Sequence, residues 1–164
     1  CVMKKYFALF MLTLVFSFNG LLAKSQTKVG GGFAYGTDIK KPAIQVEADI
    51  DINAPITIAP DFKYYFTDEF VTFWEINANV HYVVSEKNDI GLFLLGGLNL
   101  ASQSVSFNLG PFGGSSSISN TEIGLNLGVG ADFKVSSFYI TPEVKYVLSS
   151  YNQLVFGVSA MFPI

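Results

Sequence analysis

The chain has 164 residues, enough for one domain; half of them are apolar, 14% are charged, and the formal net charge is −3. Soluble domains carry about a quarter charged residues, and the complete lack of arginine argues against a basic nucleic-acid surface. Beyond residue 25 no run approaches the ~18 consecutive apolar residues that a spanning helix needs, so the apolarity points to β-structure.

Residues 1–25 stand apart from the rest. Lys4 and Lys5 make a positive start, Tyr6 to Phe18 is nearly all apolar, and Ala23 and Ser25 are small. This pattern predicts a secretory signal peptide cleaved before about Gln26, with 26–164 as the folded domain. Cys1 and Val2 precede Met3 and read as upstream residues, and Cys1 lacks the apolar run that precedes a lipobox cysteine. Cleavage takes three of the ten lysines, leaving seven against 13 acids and a net charge of −6. It also takes the sole cysteine, so no disulfide is expected.

The first predicted strand is Lys28 to Gly36, where Val29, Gly31, Phe33 and Tyr35 alternate with Gly30, Gly32, Ala34 and Gly36. A polar loop, Thr37 to Pro42, leads to Ala43–Asn53, the cleanest alternation in the chain. There Ile44, Val46, Ala48, Ile50 and Ile52 oppose Gln45, Glu47, Asp49 and Asp51. Ala54-Pro55 makes a tight turn into Ile56–Phe66, with Ile58, Pro60, Phe62, Tyr64 and Phe66 against Thr57, Asp61, Lys63 and Tyr65. After a loop, Phe73–Val84 sets Trp74, Ile76, Ala78, Val80 and Tyr82 against Glu75, Asn77, Asn79 and His81. Ile90–Ala101 is apolar on both faces around Leu92 to Leu95, which leaves its register open. Ser102 to Asn120, rich in Gly and Ser, reads as the longest loop.

From Thr121 to Leu148 a hairpin follows. One arm puts Ile123, Leu125, Leu127, Val129, Ala131 and Phe133 opposite Glu122, Gly124, Asn126, Gly128, Gly130 and Asp132. The other puts Phe138, Ile140, Pro142, Val144, Tyr146 and Leu148 opposite Tyr139, Thr141, Glu143 and Lys145. Leu154–Ile164 closes the set. Side chains alternate sides along a strand, so each segment has one oily face and one polar face.

Eight segments with wide oily faces, and no separate element to cover them, call for a bilayer around a barrel whose polar side is inside. Each is close to the ~9–11 residues of a membrane-crossing strand. The second, fourth and sixth connections are short and the others longer, the plan of a transmembrane barrel with its N-terminus periplasmic. A soluble barrel with the opposite polarity is the main rival. Aromatics sort to the strand ends as two girdles: Tyr35, Tyr64, Phe66, Phe73, Trp74 and Tyr146 at one end, Tyr82, Phe133, Phe138 and Phe162 at the other.

An internal repeat joins two strands. Ile58-Ala59-Pro60-Asp61-Phe62-Lys63-Tyr64 and Ile140-Thr141-Pro142-Glu143-Val144-Lys145-Tyr146 both read Ile-x-Pro-acid-x-Lys-Tyr. Proline removes a ladder donor and usually marks an edge or a bulge, so matching prolines predict the same local bend on opposite sides of a closed sheet.

These features resemble the small eight-stranded outer-membrane β-barrels represented by OmpX and the barrel domain of OmpA. The Pro-acid-x-Lys-Tyr strands resemble barrel proteins of the Bacteroidetes described as porin-like. The resemblance implies an all-β antiparallel up-and-down transmembrane barrel over residues 28–164, a bacterial outer-membrane location, a monomer, and contact with outer-membrane lipids and the barrel-assembly machinery. The chain departs from it where Phe162 is followed by Pro163 and Ile164, because such barrels often end on an aromatic residue.

The inward charges Glu47, Asp61, Lys63, Glu75, Glu143 and Lys145 are expected to form a salt-bridge network that fills the lumen, with Lys63 near Glu47 and Glu75 and the two lysines approaching from opposite walls. An eight-stranded interior is just wide enough for side chains to fill. The excess of acids supports a narrow cation or small-solute pore as the alternative. His81 is the only histidine, and without another His or Cys no metal site is expected. No catalytic constellation and no cofactor motif is present. A lipid-active enzyme would need His81 at the membrane face. Gly110 to Ser117, flanked by Phe107 and with Phe112 inside it, is the candidate recognition loop, its partner undefined.

Overall fold

The computed structural model describes residues 26–68, 70–108, 115–150 and 152–164, without the side chains of residues 107, 108 and 115. Its strands are β1 (Thr27–Gly36), β2 (Lys41–Asn53), β3 (Ile56–Tyr65), β4 (Val71–Lys87), β5 (Ile90–Asn108), β6 (Ser115–Val135), β7 (Phe138–Leu148) and β8 (Gln153–Pro163). Each pairs antiparallel with the next, and β1 pairs with β8, so all eight form one closed barrel. The predicted signal segment, residues 1–25, lies outside the described residues.

Alternation decides which way the barrel is turned. Ile44, Leu125 and Val129 are exposed on the outside, whereas Glu47, Asn126 and Lys145 are buried inside. A soluble barrel has the opposite arrangement, so the inverted polarity expected from the sequence holds. In β5 the open register resolves with Phe93 and Leu95 inward and Leu92 and Leu94 outward.

The turns divide the barrel into two unlike ends. Ala54-Pro55, Asn88-Asp89 and Ser136-Ser137 are two-residue connections at one end. Asn88 and Asp89 both have positive φ, 51° and 63°, the backbone of a tight hairpin turn that Asn and Asp tolerate. At the opposite end the described residues between strands are 37–40, 66–68, 70, 149, 150 and 152.

Of residues 102–120, expected to be a loop, 102–108 and 115–120 are strand. Ser102 to Asn108 of β5 pairs with Ser115 to Thr121 of β6. At 19 and 21 residues these strands far exceed a crossing length of ~9–11. Toward the tip of this extension residues 116–121 are exposed on both faces, so apolar alternation is not needed there. β7 ends at Leu148 opposite Leu125, so β6 from Ser115 to Gly124 pairs with β5 alone.

Inward glycines make room for large neighbours. Gly130 lies opposite Phe93, and a β-carbon there would come 2.6 Å from Phe93 Cε2. The Phe93 ring stacks on His81 at 4.1 Å, so displacing one ring moves both. Gly130→Val is therefore expected to lower the unfolding free energy by about 1–3 kcal/mol, read as a lower urea midpoint for protein refolded in lipid vesicles. Gly96→Ala, whose β-carbon meets nothing closer than 4.0 Å, is the near-neutral control.

Candidate functional site: the barrel interior

The repeat places an acid two residues after the position preceding proline and a lysine two residues later still, so both point inward. β3 and β7 are four strands apart, on opposite walls. The two copies meet in the middle. Lys63 Nζ lies 2.7 Å from Asp61 Oδ1 and 3.3 Å from Glu143 Oε1, and Lys145 Nζ lies 3.6 Å from Asp61 Oδ2. Lys63 therefore joins the acids of both copies, and Asp61 joins both lysines. Both lysines are fully buried.

The two prolines leave the same local mark on opposite sides of the barrel. Pairing lapses beside each of them: β2–β3 skips from Glu47↔Asp61 to Ile50↔Ile58, and β6–β7 skips from Gly130↔Glu143 to Phe133↔Ile140. The register is the same on both sides of each gap, so neither proline makes a bulge. On their other sides Pro60 and Pro142 keep continuous ladders with Ala78 and Val158. The missing proline donor breaks one ladder locally without slipping it.

Amides surround the charges. Asn77 Nδ2 and Asn79 Nδ2 donate to the two oxygens of Asp61 at 2.7 and 2.8 Å. Asn99 Nδ2 donates to Asn77 Oδ1 at 2.8 Å, and Asn126 Nδ2 lies within 2.8 Å of the oxygens of both Asn77 and Asn79. Amide donors thus converge on Asp61, which accepts from the Lys63 ammonium and two amides, with the Lys145 ammonium 3.6 Å away. Buried carboxylates are tolerable when so satisfied.

Lys63 does not pair with Glu47 or Glu75, as was expected from strand proximity. Glu75 sits directly opposite Lys63 in the β3–β4 register, yet its Oε1 accepts from Gln153 Nε2 at 2.7 Å. Glu47 Oε2 accepts from Ser159 Oγ at 3.0 Å. A lysine side chain is long enough to reach across so narrow a lumen, and Glu143 on the far wall takes it instead.

A second cluster, missed by the sequence reading, sits toward the short-turn end. Lys28 Nζ bridges Asp132 Oδ2 at 2.6 Å and Asp49 Oδ2 at 3.1 Å, and lies over the Tyr139 ring. Alternation alone puts residue 28 inside, but the glycine run after it hides the pattern. Thr141 Oγ1 donates to Asp132 Oδ1 at 2.6 Å.

The expectation that His81 finds no co-ligands needs correcting. Glu47, Asp49 and His81 each offer a ligand atom within 4.8 Å of the others, because carboxylates across the lumen supply what a Cys or His count cannot show. Asp49 is already held by Lys28, and the His81 Nδ1 lies 3.9 Å from Asp49 Oδ1. His81 is buried in the lumen and does not reach the membrane face.

Of the girdle residues, Tyr35, Tyr64, Tyr82, Phe133, Tyr146 and Phe162 are exposed on the outer face, with Trp74 and Phe138 half-buried there. Phe62 and Trp74 rings lie 6.3 Å apart, and Phe138 stacks on Phe162 at 5.6 Å. Phe73 is the exception: it turns inward onto Tyr65, ring to ring at 5.1 Å, within a small apolar layer with Ala34, Ala43, Val147 and Val155. Its odd number in β4 puts it on the side of Glu75 and not of Trp74. In the candidate recognition loop, Phe112 and the Phe107 side chain lie outside the described residues.

No protein-family model matches the chain, and no curated protein does either. In structure it is similar to the N-terminal β-barrel domain of Pseudomonas aeruginosa OprF, with TM-score 0.64 and 12% identity over 85% of this chain and 97% of that one. It is similar also to Ail, the attachment invasion locus protein of Yersinia pestis, solved in complex with the heparin analogue sucrose octasulfate. There the TM-score is 0.64 at 16% identity, over 85% of this chain and 99% of that one. A major outer membrane protein from Thermus thermophilus gives TM-score 0.66 at 8% identity, over 86% of this chain and 100% of that one. At these identities the likeness is one of fold.

Proposed function

We propose that this protein is a non-enzymatic barrel of a bacterial outer membrane, with a lumen closed by its own side chains and a structural or surface-interaction role carried by the end bearing the longer connections. The observation that supports this best is the interlocked repeat pair: Lys63, Asp61, Glu143 and Lys145 span the lumen from wall to wall and are almost wholly buried. An apolar outer face supports a bilayer as the surrounding solvent. Short turns at one end support a periplasmic N-terminus, with residues 1–25 as its signal peptide and 26–164 as the barrel. The longer connections and the β5–β6 ribbon then face outward. Their partner is a surface molecule of undefined class, and the barrel itself is a monomer met by outer-membrane lipids and by the assembly machinery. The Ile-x-Pro-acid-x-Lys-Tyr strands favour the porin-like barrel proteins of the Bacteroidetes as its kin.

Planar-bilayer recording on refolded protein is the test. The expected record is silent, with no steady steps. Reproducible unitary conductance would reject the closed lumen and favour a narrow cation path, the second reading, which the excess of acids over lysines in the interior supports.

A further inference from the structure

At the end with the longer connections the lumen opens into a cavity of about 330 Å3, within the range of small-molecule sites. Ile39, Phe73 and Val147 give it an apolar wall. Glu75, Asn99 and Gln153 also line it, at 1%, 1% and 5% exposure. Each keeps one oxygen without a partner: Glu75 Oε2, Asn99 Oδ1 and Gln153 Oε1.

Asn99 spends an N–H on Asn77 and Gln153 spends one on Glu75, which leaves the carbonyl oxygen of each amide over. Buried acceptors without donors are unfavourable. The acids lining the cavity are Asp38, Asp68, Glu75 and Glu122 and its one lysine is Lys41, tied to Asp68 at 2.8 Å, while Lys63 stands opposite Glu75 on the lumen side. The Tyr65 hydroxyl also faces Glu75 and brings one donor but no charge.

We propose that this vestibule is a binding site for a small organic cation bearing a primary ammonium group. Such a head has three donors, no acceptor and a positive charge. Three unpartnered oxygens, one of them a carboxylate's, are its complement. A short aliphatic body lies along Ile39, Phe73 and Val147. A bare metal ion would leave that wall and most of the cavity unused. The site does not depend on the lumen being closed, so a conducting barrel would overturn the reading above and leave this one standing.

The test is NMR titration of 15N-labelled protein refolded in lipid nanodiscs with n-butylammonium chloride at constant ionic strength. Saturable shifts are expected at the backbone amides of Glu75, Asn99 and Gln153, with no matching response to n-pentanol. Glu75→Gln is expected to weaken binding about tenfold, the loss of one charge-assisted hydrogen bond. Because Glu75 is buried, Glu122→Gln on the cavity wall is the second variant, expected to weaken it severalfold. The proposal is overturned by shifts that do not saturate, by an equal response to n-pentanol, or by a response to sodium or magnesium that n-butylammonium neither shares nor displaces.

Discussion

Asp61→Ala is expected to destabilise the barrel by about 3–5 kcal/mol, the range for breaking a buried ion pair from one side. No other residue described here holds as many partners. Lys63 and Lys145 both approach its oxygens, and Asn77 and Asn79 each donate to one. Removing the carboxylate leaves Lys63 with Glu143 alone, and it leaves Lys145 without an acid within 4 Å. Two buried amide donors lose their acceptor as well. Urea titration of protein refolded in lipid vesicles, followed by heat-modifiable migration on gels, measures the loss. A change under about 1 kcal/mol would mean that the repeat pair is not what holds the interior. Exchanging Asp61, Lys63, Glu143 and Lys145 together for apolar residues is expected to recover part of the loss, because only the removal of all four leaves no stranded charge.

Val129→Arg is expected to cost about 2–4 kcal/mol, the penalty for arginine on the lipid face near the bilayer midplane. Val129 is 53% exposed on the outer face, paired with Leu94 and Val144 between the two aromatic girdles. Ile118→Arg is its matched control. Ile118 is more exposed, at 66%, but it sits in the β5–β6 extension, where the proposed orientation puts it in water. There the same change is expected to cost under about 0.5 kcal/mol. Equal costs at the two sites, measured in the same vesicles, would remove the argument that a bilayer surrounds the barrel.

Much of this was readable because alternation is a local signal. Ile44 through Ile52, or Glu122 through Asp132, declare both faces within a dozen residues, and strand count and polarity follow. The repeat was equally visible, and it supplies the residues that meet in the centre. What escaped depends on distance across the lumen. Nothing near Lys28 in the chain indicates Asp132, and strand adjacency favoured Glu75 for Lys63 where Glu143 on the far wall prevails. The Ser-rich extension was missed for another reason. At its tip both faces of the strand are exposed, and a periodic pattern has no cause. The acceptor-lined vestibule has no sequence signature at all, since it arises from which way each amide is turned.

The seam between β1 and β8 has a consequence for biogenesis. Residues near 28 and near 163, the earliest and latest parts of the barrel to leave the ribosome, are hydrogen-bonded neighbours. Until the last strand exists, β1 and β7 both present bare backbone edges that hydrocarbon cannot solvate. In the proposed bilayer, partial barrels therefore have no stable resting place, and the eight strands are expected to insert as a unit.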